Sequence, residues 1–203
     1  MIAIIDYGMG NIHSVQKALE FMSAQTVVTN TPSDIAAADK IVLPGVGAFD
    51  DAMAELKQRG LVKVIKEQVA AGKPFLGICL GMQLLFQESQ EAVASKGLGL
   101  LKGRVKRFAD SKDLKVPHMG WNQLSIKKTD CPLLQDVAEG SSVYFCHSYY
   151  PAPDDKEAVA TSTDYGIAFA SIVWKKNMYG VQFHPEKSQD IGLAMLKNFV
   201  NLC

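Results

Sequence analysis

The chain has 203 residues, enough for one domain with a sizeable core and short for two independent ones. Its 21 basic and 21 acidic side chains cancel to a formal charge of zero, so no charge excess recruits nucleic acid or an anionic membrane surface. The longest nearly apolar stretch, Phe75 to Phe86, falls well below the roughly 20 residues that span a bilayer.

The segment Met1-Ile2-Ala3-Ile4-Ile5-Asp6 has no basic leader and no small-residue cleavage site, and reads as a buried strand. Helical periodicity follows over Ile12 to Met22. The alternation then repeats: strand Thr26 to Thr29 and helix Ser33 to Ala38, strand Lys40 to Leu43 and two helical stretches, strand Pro74 to Ile78 and helix Leu80 to Phe86. In the second of those two stretches Leu61, Val64, Ile65 and Val69 share one face, and Gly72 with Pro74 ends the helix. Such alternation predicts an α/β fold with a mainly parallel sheet covered on both faces. The second half is expected to add antiparallel strands at Trp121 to Ile126, Val143 to Cys146, Ala158 to Thr163, Ala168 to Trp174 and Met178 to Phe183. A last helix, Gln189 to Leu202, places Ile191, Met195 and Phe199 in one stripe. No linker breaks the chain, so residues 1–203 are expected to form a single domain.

Cys79 stands in Gly77-Ile78-Cys79-Leu80-Gly81, between an apolar strand and a helical segment, a spacing that fits a nucleophile elbow. Small neighbours permit the sharp turn, and a helix N-terminus behind the thiol favours thiolate. A cysteine in an apolar strand is ordinarily inert core, and here the paired glycines reverse that default. Cys131, Cys146 and Cys203 lie far from it and from one another without CxxC pairing, so neither zinc nor a redox motif is indicated, and reduced cytoplasmic thiols are expected.

A nucleophilic thiolate needs a proton carrier. His184 in Phe183-His184-Pro185-Glu186 is the best candidate, because Pro185 holds His184 extended and Glu186, two residues on, should project to the same side and orient the imidazole. His13, His118 and His147 have no such carboxylate and default to structural roles. Oxyanion donors are expected at the Leu80 N–H and at Pro44-Gly45-Val46-Gly47, where the glycines bracketing Val46 let its peptide reorient cheaply.

Together, Gly77 to Gln83 and Phe183 to Glu186 resemble the class I, triad-type glutamine amidotransferases. Asp6 to Asn11, Pro44 to Phe49, Pro117 to Asn122 and Tyr144 to Tyr149 are similar to the glutaminase subunits of imidazole glycerol phosphate synthases, nearly end to end. The resemblance implies a flavodoxin-like fold, glutamine hydrolysis without metal or organic cofactor, and a (β/α)₈ cyclase partner in histidine biosynthesis. It implies that Gly45, Gln83, Glu91 and the Ser148-Tyr149 backbone hold glutamine, and that Asn11, Met119, Trp121, Asn122 and Tyr144 face the cyclase. Cys146 departs from the aliphatic residue expected there and reads as a core swap. Rival readings are a glutaminase of anthranilate, aminobenzoate, guanylate or pyridoxal phosphate synthesis, against which Pro117 to Asn122 argues, and a silent scaffold subunit, against which the intact Cys79, His184 and Glu186 argue.

Overall fold

The computed structural model describes residues 1–110 and 114–203. In chain order the first half runs β1 (Ile2–Ile5), α1 (Ile12–Phe21), β2 (Thr26–Thr29), α2 (Pro32–Ala37), β3 (Lys40–Gly45), α3 (Phe49–Gln58), α4 (Leu61–Ala70), β4 (Phe75–Cys79) and α5 (Leu80–Gln83). The second half contributes β5 (Glu88–Ser89), β6 (Gly103–Arg107), β7 (His118–Gln123), β8 (Ser125–Ile126), β9 (Ser142–His147), β10 (Tyr149–Pro153), β11 (Val159–Asp164), β12 (Ala168–Lys175), β13 (Met178–Val181) and α6 (Gln189–Leu202).

An eight-stranded sheet carries the fold in the order β2-β1-β3-β4-β13-β12-β11-β8, so it draws strands from both halves of the chain. Its first five strands are mutually parallel, and β12, β11 and β8 extend it antiparallel. The strand at Met178 to Phe183, expected as an antiparallel addition, instead pairs parallel with β4 in the register Gly180↔Gly77 and Val181↔Ile78. Nor do Val143 to Cys146 and most of Trp121 to Ile126 join this sheet. They form the β7–β9 ladder, and only Ser125–Ile126 reaches the sheet edge.

Alternation along the parallel strands divides the apolar residues between two cores, because successive side chains point to opposite faces. Ala3, Ile5, Ile41, Leu43 and Phe75 pack with Ile35 of α2, Phe49 and Leu56 of α3 and Ile65 of α4. Ile2, Ile4, Val42, Leu76 and Ile78 pack on the other face with Val15 and Leu19 of α1 and Met195 and Phe199 of α6. Both faces are therefore covered, which is why these strands read as unbroken apolar runs. The carboxyl ends of β3, β4 and β13 come together at one edge of the sheet, where open α/β sheets build their sites.

Candidate active site

Cys79 closes β4 and opens α5 with φ 54° and ψ −110°, a backbone region that side-chain-bearing residues rarely adopt. The flanking glycines explain how the chain accommodates it. A Cβ on Gly77 would lie 2.6 Å from the Gly81 carbonyl oxygen and 2.8 Å from the Met82 nitrogen, and one on Gly81 would run into the Leu43 carbonyl. Backbone thus packs directly on backbone around the elbow. The helix behind the thiol is a single turn of four residues, much shorter than the expected Leu80 to Phe86, so few aligned peptides add to the dipole there.

On the neighbouring strand, β13, the chain leaves the sheet through Gln182 and Phe183 to His184, which is extended at φ −101° and ψ 97° as the following proline requires. Glu186 does not follow by strand alternation, however: Pro185–Lys187 form a 3₁₀ turn, and that turn brings Glu186 Oε1 to 2.9 Å from His184 Nδ1. Both side chains are buried, at 5% and 0% exposure. Asn11, expected at a partner face, has its Nδ2 donating to the same carboxylate oxygen at 3.3 Å, so its side chain also orients Glu186. The turn is locked to β9, since the His184 N–H donates to the Tyr144 carbonyl at 3.0 Å, while the Ser188 hydroxyl donates to the His184 carbonyl and accepts the Tyr144 N–H. Burial works against a charge on His184, but the neighbouring Cys79 and Glu186 outweigh burial and raise its proton affinity above the ordinary histidine value.

A cavity of about 350 Å³ opens in front of Cys79 and His184, with Val46, Leu80, Gln83, Glu91, Ser148 and Tyr149 on its wall. Both expected oxyanion residues thus face the same space as the thiol. Gly45 does not line the cavity in this way: it ends β3 buried, and a Cβ on it would fall 2.5 Å from the Tyr7 hydroxyl, so close packing is its structural requirement. Glu91 accepts the Phe49 N–H at 3.0 Å, and burial raises its carboxyl above the usual range. The Ser148 carbonyl accepts the Phe108 N–H, and the Tyr149 carbonyl accepts from Gln83 Nε2 at 3.0 Å, so both carbonyls are engaged within the protein.

Cys146 is not a core substitution. On β9 the buried residues are Val143, Phe145 and His147, so the strand period turns Cys146 the other way, onto the cavity wall. His118 and His147 are bonded to each other and to the backbone: His118 Nδ1 lies 3.0 Å from His147 Nε2, and His147, at the cavity wall, has its Nδ1 2.8 Å from the Tyr149 carbonyl. Burial lowers His118 to about 4 and His147 to about 3. Of the residues expected to face a partner, Met119 and Trp121 are 61% and 49% exposed, and the Trp121 ring stands T-shaped to Tyr144 at 6.0 Å. Asn122 is engaged internally, donating to the Asp164 carbonyl at 2.8 Å and approaching His118 Nε2. Sequence reasoning passed over Gln182, which is fully buried with its amide 3.7 Å from Cys79 Sγ; its only signal was adjacency to the histidine motif.

The family profile described as glutamine amidotransferase class-I matches residues 3–202. Imidazole glycerol phosphate synthase subunit HisH from Syntrophotalea carbinolica is 53% identical over 204 residues, covering 98% of each chain. The subunit of the same name from Geobacter sulfurreducens is 52% identical, covering 98% of this chain and 97% of its own. Among solved structures, PurLQS from Thermotoga maritima superposes with a TM-score of 0.74 at 20% identity, over 98% of this chain and 94% of that one, a likeness of fold. With a profile match over almost every residue and the elbow cysteine already facing a buried histidine and carboxylate, the chain belongs to the class-I glutamine amidotransferase family.

Proposed function

We propose that residues 1–203 form one glutaminase domain that hydrolyses glutamine to glutamate and ammonia and hands the ammonia to a (β/α)₈ cyclase subunit of imidazole glycerol phosphate synthase in histidine biosynthesis. The opening of Cys79 and His184 onto one cavity, with Glu186 held against the far side of the His184 ring, carries this reading. Cys79 Sγ attacks the side-chain amide carbon of glutamine. The Val46 and Leu80 N–H groups receive the oxyanion, and His184, held by Glu186, gives its proton to the departing ammonia. Water then cleaves the glutamyl thioester, with His184 now accepting a proton. Gln83, Glu91 and the Ser148-Tyr149 backbone shape the glutamine pocket from the wall they share with the thiol.

Identity above 50% to subunits named for imidazole glycerol phosphate synthase favours that assembly over other amidotransferases. The exposed Met119 and Trp121, with Tyr144 beside them, supply the partner face. A cytoplasmic setting fits the four unpaired cysteines. Glutamine turnover is to be measured for the free chain, for its complex with the cyclase, and for the complex with a cyclase substrate analogue. The rate should rise at each step if docking completes the oxyanion hole at Val46, since one such donor is worth roughly 100 to 1,000-fold. Absence of glutamine hydrolysis in every state would overturn the functional reading, and equal non-zero rates would remove the coupling alone.

A further inference from the structure

Behind Cys79 runs a buried line of side-chain amides. Gln83 Nε2 donates to the Tyr149 carbonyl at 3.0 Å and to Gln182 Oε1 at 3.1 Å, and Gln182 Nε2 donates to Cys79 Sγ at 3.7 Å. Gln83 is 4% exposed, at the cavity wall, and Gln182 is 0% exposed, so the bond between the two amides is buried. The direction of the line follows from its far end. A backbone carbonyl only accepts, so the end of Gln83 that meets Tyr149 must be its NH₂ group. The second hydrogen of that NH₂ group faces Gln182, which must therefore present its oxygen. Gln182 then has only its own NH₂ group to turn towards the sulfur. The opposite orientation would set two NH₂ groups against each other in a dry interior, leaving donors unsatisfied.

The Tyr149 carbonyl is held in turn. His147 Nδ1 meets it at 2.8 Å and must carry its hydrogen there, which leaves Nε2 to accept from His118 Nδ1 at 3.0 Å. The acceptor at the head of the amide line is thus fixed from a second side by buried imidazoles.

Resting on the glutaminase reading of the site, we propose that Gln182 is a positioning residue for the nucleophile, and that the Tyr149 carbonyl, acting through Gln83, dictates that Cys79 meets an N–H donor. A donor at 3.7 Å from sulfur stabilises the thiolate and offers nothing comparable to the thiol. It also holds Sγ on the β13 side of the elbow, towards His184.

The test is iodoacetamide alkylation of the full-length chain, with modification at Cys79 read by peptide mass mapping at neutral and at alkaline pH. Gln182→Glu keeps an acceptor for Gln83 and removes the donor at sulfur; Gln182→Met removes both. Each is expected to slow Cys79 alkylation at neutral pH by about tenfold, the low end for a hydrogen bond to a charged group. The deficit should shrink at alkaline pH. Gln83→Met, which leaves Gln182 in place but frees it to turn over, should give a smaller deficit of the same pH dependence. This third variant keeps the proposal open to refutation if a Gln182 substitution prevents folding. Alkylation at the unmodified rate, or a deficit equal at both pH values, would overturn the assignment. If Cys79 of the unmodified chain reacts no faster than Cys146 or Cys203, the glutaminase reading fails first; brisk Cys79 alkylation unchanged in the variants removes Gln182 alone.

Discussion

Gly77→Ala tests whether the elbow is built by backbone packing. The new methyl carbon would lie 2.6 Å from the Gly81 carbonyl oxygen, 2.7 Å from its carbon and 2.8 Å from the Met82 nitrogen. All three are backbone atoms, so no rotamer change relieves the clash, and β4 and α5 must separate by on the order of 0.5 to 1 Å to restore ordinary contact. Overpacking of this kind costs about 1 to 3 kcal/mol. For a chain of this size each kcal/mol lowers the melting temperature by roughly 2 to 4 °C. Cys79 lies between the two displaced elements, and a misplacement approaching 1 Å costs up to about 100-fold in rate. Thermal unfolding and glutamine-dependent turnover of the cyclase complex are the two readouts. Gly60→Ala is the control, because Gly60 has open space around it and a φ of +69°, so its cost is backbone strain remote from the site. Both variants should lose stability, and only Gly77→Ala should lose turnover. Full turnover in Gly77→Ala at a reduced melting temperature would refute the claim that this packing positions the thiol.

Cys79→Ala should abolish glutamine-dependent synthesis by the complex, a loss on the order of 10⁴-fold or more, while ammonia-dependent synthesis persists; persistence of the glutamine-dependent rate would remove Cys79 from the mechanism. Glu186→Gln should cost less turnover than His184→Ala in glutamine-saturated assays, since the carboxylate orients the ring and transfers no proton; the reverse order would require the roles to be reassigned. His118 and His147 are depressed below the unfolded value of about 6.5, so they release protons on folding, and their contribution to stability is intact above that pH and lost as pH falls towards about 4 and about 3. Denaturant unfolding at pH 6.5 and 5 should therefore show His118→Gln flattening the acid-side loss by about 1 kcal/mol per pH unit, and an unchanged slope would contradict the neutral imidazole pair.

What the sequence determined by itself was local. Glycines two residues to either side of Cys79, after an apolar strand, specify an elbow wherever the strand is placed, because only hydrogen fits where one backbone crosses another. Unbroken apolar runs in the first half required a sheet covered on both faces, and that is how β1, β3 and β4 are buried. His184 with Glu186 was likewise legible, although a 3₁₀ turn and not strand alternation brings the two together. Only the tertiary structure decided which strand lies beside which. A period of two says that a strand has faces but carries no information about its neighbour, so Met178–Val181 reads like β11 or β12 and yet sits parallel to β4. That pairing brings Gln182 and His184 to Cys79 across a separation of more than 100 residues. It also decided that Cys146 faces the cavity and that Asn11 supports Glu186, because such contacts follow from the non-local packing of β9 and α1 against the turn after β13.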